Sequence, residues 1–187
     1  TLLFDADNDG DLDLFIARGC GQYPTGHEFY SDVLMINDGK GNYTEGVNAL
    51  PNMTANSSAV KAADFDHDGD LDLFVGSRVL PFSYPMADRS FILRNESTKN
   101  VIKFVDATNE VSSDLLRPGM ISDALWTDFN GDSWPDLILA SEWSPLRFFK
   151  NNNGKLVEIT QTTGIENDFG WWNSLAASDF DNEGDID

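Results

Sequence analysis

One nine-residue acidic loop occurs four times in this chain, and it limits the fold more than any other feature. The copies run Asp5-Ala6-Asp7-Asn8-Asp9-Gly10-Asp11-Leu12-Asp13, Asp64-Phe65-Asp66-His67-Asp68-Gly69-Asp70-Leu71-Asp72, Asp128-Phe129-Asn130-Gly131-Asp132-Ser133-Trp134-Pro135-Asp136 and Asp179-Phe180-Asp181-Asn182-Glu183-Gly184-Asp185-Ile186-Asp187. Their starts at Asp5, Asp64, Asp128 and Asp179 lie 59, 64 and 51 residues apart. Repetition at such a period marks a chain built from copies of one supersecondary unit.

Other signals keep step with the loops. A short apolar stretch precedes each one: Thr1–Phe4, Ala59–Ala63, Ala124–Thr127 and Ser174–Ser178. A near-continuous apolar run follows the first three, at Leu12–Ala17, Leu71–Gly76 and Asp136–Ala140. Each of the first three units then holds a second hairpin signature. Val33–Asn37 turns at Asp38-Gly39 into Asn42–Glu45, Phe91–Asn95 leads to Lys103–Thr108, and Leu146–Asn151 turns at Asn153-Gly154 into Leu156–Thr160. Short apolar runs bounded by Asn and Gly read as antiparallel strands. Four strands per repeat predict an all-β chain: a partial β-propeller of about three four-stranded antiparallel blades, with the acidic loops between strands one and two. Units begin near residues 1, 60, 124 and 175, the first and last incomplete. Three blades do not close a ring, so the remaining blades of a longer parent chain are expected partners.

Within each loop, oxygen-bearing side chains occupy positions 1, 3, 5 and 9, and position 6 is glycine in three copies. Alternate residues of a tight turn point inward, and hard oxygen donors without Cys or His select calcium. The expected ligands are Asp5, Asp7, Asp9, Asp11 and Asp13; Asp64, Asp66, Asp68, Asp70 and Asp72; Asp128, Asn130, Asp132, Trp134 and Asp136; and Asp179, Asp181, Glu183, Asp185 and Asp187. Position 7 is expected to offer its backbone carbonyl, because Trp134 stands there in the third copy. An EF-hand is excluded. It needs Glu at position 12, where this chain has Ile16, Val75 and Leu139. The metal is expected to be structural, because carboxylates crowded in a turn repel one another without a cation.

The net charge of −20 argues against nucleic acid as a partner. Of 32 acidic residues, 18 lie in the four loops, so much of that charge belongs to the repeat itself. Cys20 is the only cysteine and cannot form a disulfide within the chain. No apolar run is long enough to span a membrane.

Strand alternation puts the acidic loops and the Asn-Gly turns at one end of the blades. The longer connections, which carry Tyr23, His27, Tyr30, Arg78, Tyr84, Arg89, Glu142 and Trp143, fall at the other. Aromatic and Arg side chains on mounted loops suit binding of an extracellular protein or glycan. Trp171 and Trp172 precede a strand and read as packing between blades. His67 lies inside a loop and His27 has no Ser or Cys partner at a recognisable spacing, so no enzyme is expected. The alternative is a propeller belonging to a secreted polysaccharide lyase or hydrolase.

At Ala63-Asp64-Phe65-Asp66-His67-Asp68-Gly69-Asp70-Leu71-Asp72-Leu73 the chain resembles the FG-GAP/VCBS repeat family, known from integrin α-subunit propellers. The stretches Arg78–Phe91 and Gly170–Ala177 are similar to its secreted bacterial branch, whose members often carry an ASPIC/UnbV domain and resemble cartilage acidic protein. That resemblance implies calcium binding and an extracellular, cell-surface or periplasmic location, and supplies no catalytic residues to transfer.

Overall fold

The computed structural model describes residues 1–99, 101–183 and 186. Three sheets follow one another along the chain. The first contains β1 (Leu2–Phe4), β2 (Asp13–Ile16), β3 (Val33–Asn37) and β4 (Tyr43–Glu45). The second contains β5 (Ser57–Ala63), β6 (Asp72–Ser77), β7 (Phe91–Asn95) and β8 (Phe104–Asp106). In the third, β9 (Met120–Thr127), β10 (Asp136–Ser144), β11 (Arg147–Asn151) and β12 (Leu156–Glu158) repeat the pattern, and β13 (Gly170–Trp171) pairs with the end of β10. Each sheet is an antiparallel meander in sequence order, as a propeller blade is. The architecture is therefore the all-β partial propeller that the repeats predict. Among the described residues no helix is long and apolar enough to cross a membrane.

The blades stack face to face. Alternation along β6 sends Leu73 and Val75 into one core with Phe4, Phe15, Leu34, Phe91 and Leu93. Phe74 and, from β7, Ile92 enter a second core with Ile121, Leu137, Leu139 and Phe149 of the third blade. All six residues of β6 are buried, which explains its near-continuous apolar sequence. The fit is tight enough that a Cβ on Gly76 would stand 2.5 Å from Cγ2 of Ile121. The first strands of the three blades share a cavity of about 530 Å³, lined by Leu2, Phe4, Ala62, Leu125 and Trp126 among others. That places β1, β5 and β9 side by side at the inner edge of the stack.

Most strand limits match the sequence pattern to within a residue or two. β9 and β10 run longer because they pair continuously from Asp136↔Thr127 to Glu142↔Met120, through a bulge between Ala140 and Ser141. Ser174–Ser178, predicted as a first strand, is not assigned as one. Its place beside the third blade is held instead by the Leu175 N–H, which donates to Asp123 at 2.9 Å. Among the described residues it has no second strand to pair with, and a lone strand leaves its backbone groups unpaired.

Buried polar groups also join the blades at the end opposite the acidic loops. Asp32 accepts from the Arg18 N–H at 2.6 Å and from the Ser57 hydroxyl at 2.8 Å, tying blade one to the start of β5. Burial pushes its carboxyl up to about 6.

Because Phe74 is fully buried between two blades, Phe74→Ala is expected to lower unfolding free energy by about 3–5 kcal/mol. Leu3→Ala, at a position 54% exposed, is expected to cost roughly 0.5 kcal/mol or less. Urea denaturation of the two variants provides the comparison.

Candidate metal centre

The geometry of the first three loops is set by the ninth residue of each. Asp13, Asp72 and Asp136 begin the second strands and are buried. One oxygen of each carboxylate accepts the N–H of loop position 2, from Ala6 at 2.9 Å, Phe65 at 3.3 Å and Phe129 at 3.2 Å. The other accepts the N–H of the residue ending the third strand: Asn37 at 2.8 Å, Asn95 at 2.8 Å and Asn151 at 2.7 Å. The aspartate thus folds the loop back over its own blade.

Position 1 organises the turn. Asp5 accepts the N–H groups of Asp9 and Gly10, Asp64 those of Asp68 and Gly69, and Asp128 those of Gly131, Asp132 and Ser133. Such a turn needs left-handed residues. Gly10 and Gly69 supply them at position 6, with φ of 94° and 97°. Position 4 is left-handed too, in Asn8, His67, Gly131 and Asn182, a requirement that the glycine pattern did not reveal.

In loops 1 and 2 the carboxylates at positions 1, 3 and 9 converge. Asp5, Asp7 and Asp13 each bring an oxygen within 4.8 Å of the others, and so do Asp64, Asp66 and Asp72. Oδ1 of Asp7 and Oδ1 of Asp66 are buried with no hydrogen-bond partner among the described residues. Buried polar atoms without partners are costly. Burial, and then the charges of Asp9, Asp13 and Asp5, push the Asp7 carboxyl up. Burial, and then the Asp68 charge, does the same to Asp66. Burial raises Asp72 to about 8, although the N–H groups of Asn95 and Phe65 pull it the other way. A cation at the centre of each trio would give the orphaned oxygens a partner and relieve the repulsion. These two oxygen-only cages could hold a metal ion.

Positions 5 and 7 lie outside the trios. Asp9 and Asp68 accept the N–H groups of Asp11 and Asp70, both at 2.9 Å. The position 7 side chains reach the preceding loop: Asp70 accepts from Nδ2 of Asn8 at 2.5 Å, and Trp134 stacks on His67 with ring centroids 4.0 Å apart.

Loop 3 is closed in a different way. Asn130 donates through Nδ2 to Asp136 at 2.7 Å, and the Lys150 ammonium pairs with Asp132 at 3.1 Å. An amide and an ammonium occupy the roles that carboxylate and cation would share in loops 1 and 2. Among the described residues, loop 3 forms no comparable trio of carboxylates. In loop 4, Asp179 accepts the Asn182 N–H at 2.6 Å and Asp181 accepts the Glu183 N–H at 3.1 Å. Asp185 and Asp187 lie outside the described residues. Sequence reasoning missed Asn37, Asn95, Asn151 and Lys150. The three asparagines share one register at the ends of third strands, and that regularity was the available signal.

The opposite face separates its predicted residues. Tyr30 is buried, with its hydroxyl donating to the carbonyls of Cys20 and Tyr23, so it packs a loop. Arg89 pairs with Asp106 and lies over Phe91, while Arg78 pairs with Glu142 across blades two and three. Tyr23, His27 and Phe29 stack on one another. Tyr84, Trp143 and Trp171 remain half exposed, and Nε1 of Trp143 donates to the Tyr84 hydroxyl at 2.6 Å. Trp171 tilts against Trp143 with centroids 5.2 Å apart, which makes it part of this rim as well as of β13.

A family model described as FG-GAP-like repeat matches residues 5–75 and 128–187 of this chain. No curated protein matches it.

Two outcomes follow from the cages. In metal-free solution Asp72, raised to about 8, contributes stability that is complete below the unfolded value of about 4 and lost as pH rises through about 8. The metal-free melting temperature should therefore fall between pH 5 and pH 8.5, and a bound cation should remove most of that fall. Converting loop 3 with Asn130→Asp and Lys150→Gln should add one metal equivalent in a calorimetric titration. A stoichiometry equal to wild type would show that these two side chains do not decide its occupancy.

Proposed function

The chain belongs to the FG-GAP-like repeat family, and from that premise we propose that it is a calcium-braced extracellular propeller scaffold that binds a protein or glycan ligand. The observation carrying this reading is the pair of carboxylate trios, each with a buried oxygen that lacks a partner among the described residues. Asp5, Asp7 and Asp13 would hold one calcium ion, and Asp64, Asp66 and Asp72 a second. Asp9, Asp68 and the carbonyls of Asp11 and Asp70 lie close in sequence to complete the oxygen shells. Calcium is favoured because all donors are hard oxygens and the loops are irregular, which suits its flexible coordination better than the strict octahedron of magnesium.

When bound, calcium supplies positive charge and crosslinks each loop to its own second strand. The chain's residues do the rest. Asp13 and Asp72 anchor the loops, and the third-strand asparagines hold those aspartates in place. Extracellular modules of this kind bind calcium at about 10⁻⁴ to 10⁻³ M, so they fill outside the cell and stay empty in cytosol. In this reading the chain does no covalent chemistry. The braced blades present the Tyr84, Trp143 and Trp171 rim on the far face as a rigid docking surface, with Arg78 and Glu142 paired beside it.

Calcium at twentyfold excess over Kd should add about 1.8 kcal/mol per cage by mass action. For two cages in a chain of this size the melting temperature should rise on the order of 10 °C. Differential scanning calorimetry of chelator-treated protein, with and without calcium, measures it. A melt indifferent to calcium would reject the bracing role.

A further inference from the structure

Asn95 does more than cap Asp72. While its N–H holds Oδ1 of Asp72, its side-chain Nδ2 donates to the carbonyls of Leu71 at 3.2 Å and of Ala6 at 3.0 Å. Ala6 belongs to the preceding blade and lies between Asp5 and Asp7, two members of the first cage. A single buried residue therefore touches the backbone of one cage and a carboxylate of the next. Asn151 repeats the arrangement one blade later, with Nδ2 on the carbonyls of Phe65 at 2.8 Å and Pro135 at 2.9 Å and its N–H on Asp136. A second link runs along the surface, where Asn8 of loop 1 donates to Asp70 and, at 3.5 Å, to the Gly69 carbonyl of loop 2.

We infer that Asn95 and Asn8 are positioning residues that couple the two cages, so that a cation in one raises the affinity of the other. This rests on the metal-binding reading above. Fixing Asp5 and Asp7 around an ion fixes the Ala6 carbonyl between them. That carbonyl orients Asn95, and Asn95 sets Asp72 for the second ion. Binding at loop 1 thus makes part of the ordering that binding at loop 2 requires, and linkage makes the effect reciprocal. Direct repulsion between two bound cations acts in the opposite sense. At about 0.15 M salt the Debye length is about 8 Å, which weakens that repulsion between loops open to solvent. The bonded path is not screened, so the net coupling is positive.

The test is calcium titration of the full chain by calorimetry at 0.15 M salt, with folding monitored by circular dichroism. Asp66→Asn disables cage 2 and Asp7→Asn disables cage 1. The product of the two wild-type binding constants is expected to exceed the product of the single-cage constants by roughly fivefold or more. Asn8→Gly keeps every carboxylate and accommodates the left-handed backbone at that position, where φ is 58°. It should reduce the excess without changing stoichiometry, and Asn95→Ser should reduce it further. If Asn95→Ser does not fold, Asn8→Gly decides alone. Two ions binding with no excess, or an excess undiminished in Asn8→Gly, would overturn the coupling and leave the calcium reading intact. Absence of calcium binding to the wild type would overturn both.

Discussion

The structure depends on a buried aspartate at the start of each second strand. Asp13, Asp72 and Asp136 each accept one N–H from the loop before them and one from the third strand beside them. When these carboxylates are ionised the bonds are charge-assisted, worth more than neutral ones, and burial strengthens them further. The same burial makes the carboxylate charge expensive, because desolvation opposes ionisation. In loops 1 and 2 two further carboxylates crowd the same point, so the residue that builds the turn also creates a need for a cation. Fold and candidate metal site are consequences of one choice of side chain.

Loop 3 shows how the same frame is satisfied without that need. Asn130 replaces a carboxylate and donates to Asp136, and Lys150 brings a positive charge to Asp132. The turn, its position 9 anchor and its link to the third strand persist. The frame is therefore separable from the carboxylate trio, and loop 3 keeps the one without the other. Packing supplies the second requirement, since β6 has both faces covered only because blades stand on either side of it.

Much of this was legible from residue order. The four-strand unit, the turn glycines and the oxygen-bearing side chains at positions 1, 3, 5 and 9 follow from period, alternation and charge spacing. The third-strand asparagines were visible but carried no assignable role, because the loop groups they hold lie 15 to 89 residues away. Lys150 was equally mute, since nothing local to a third strand says that it will face Asp132 of a loop earlier in its own unit. Tyr30 was grouped with ligand-facing residues because composition does not tell a buried loop tyrosine from an exposed one.

The sequence by itself determined the repeat, the antiparallel meander of each blade and the oxygen chemistry of the loops, because these depend on neighbours within a few residues. Only the tertiary structure decided which carboxylates converge, which loop closes itself with Asn130 and Lys150, and that Asn95 and Asn151 clasp one blade to the next. Those outcomes are set by contacts across long separations, where a hydrogen bond is made or lost according to how two sheets stack.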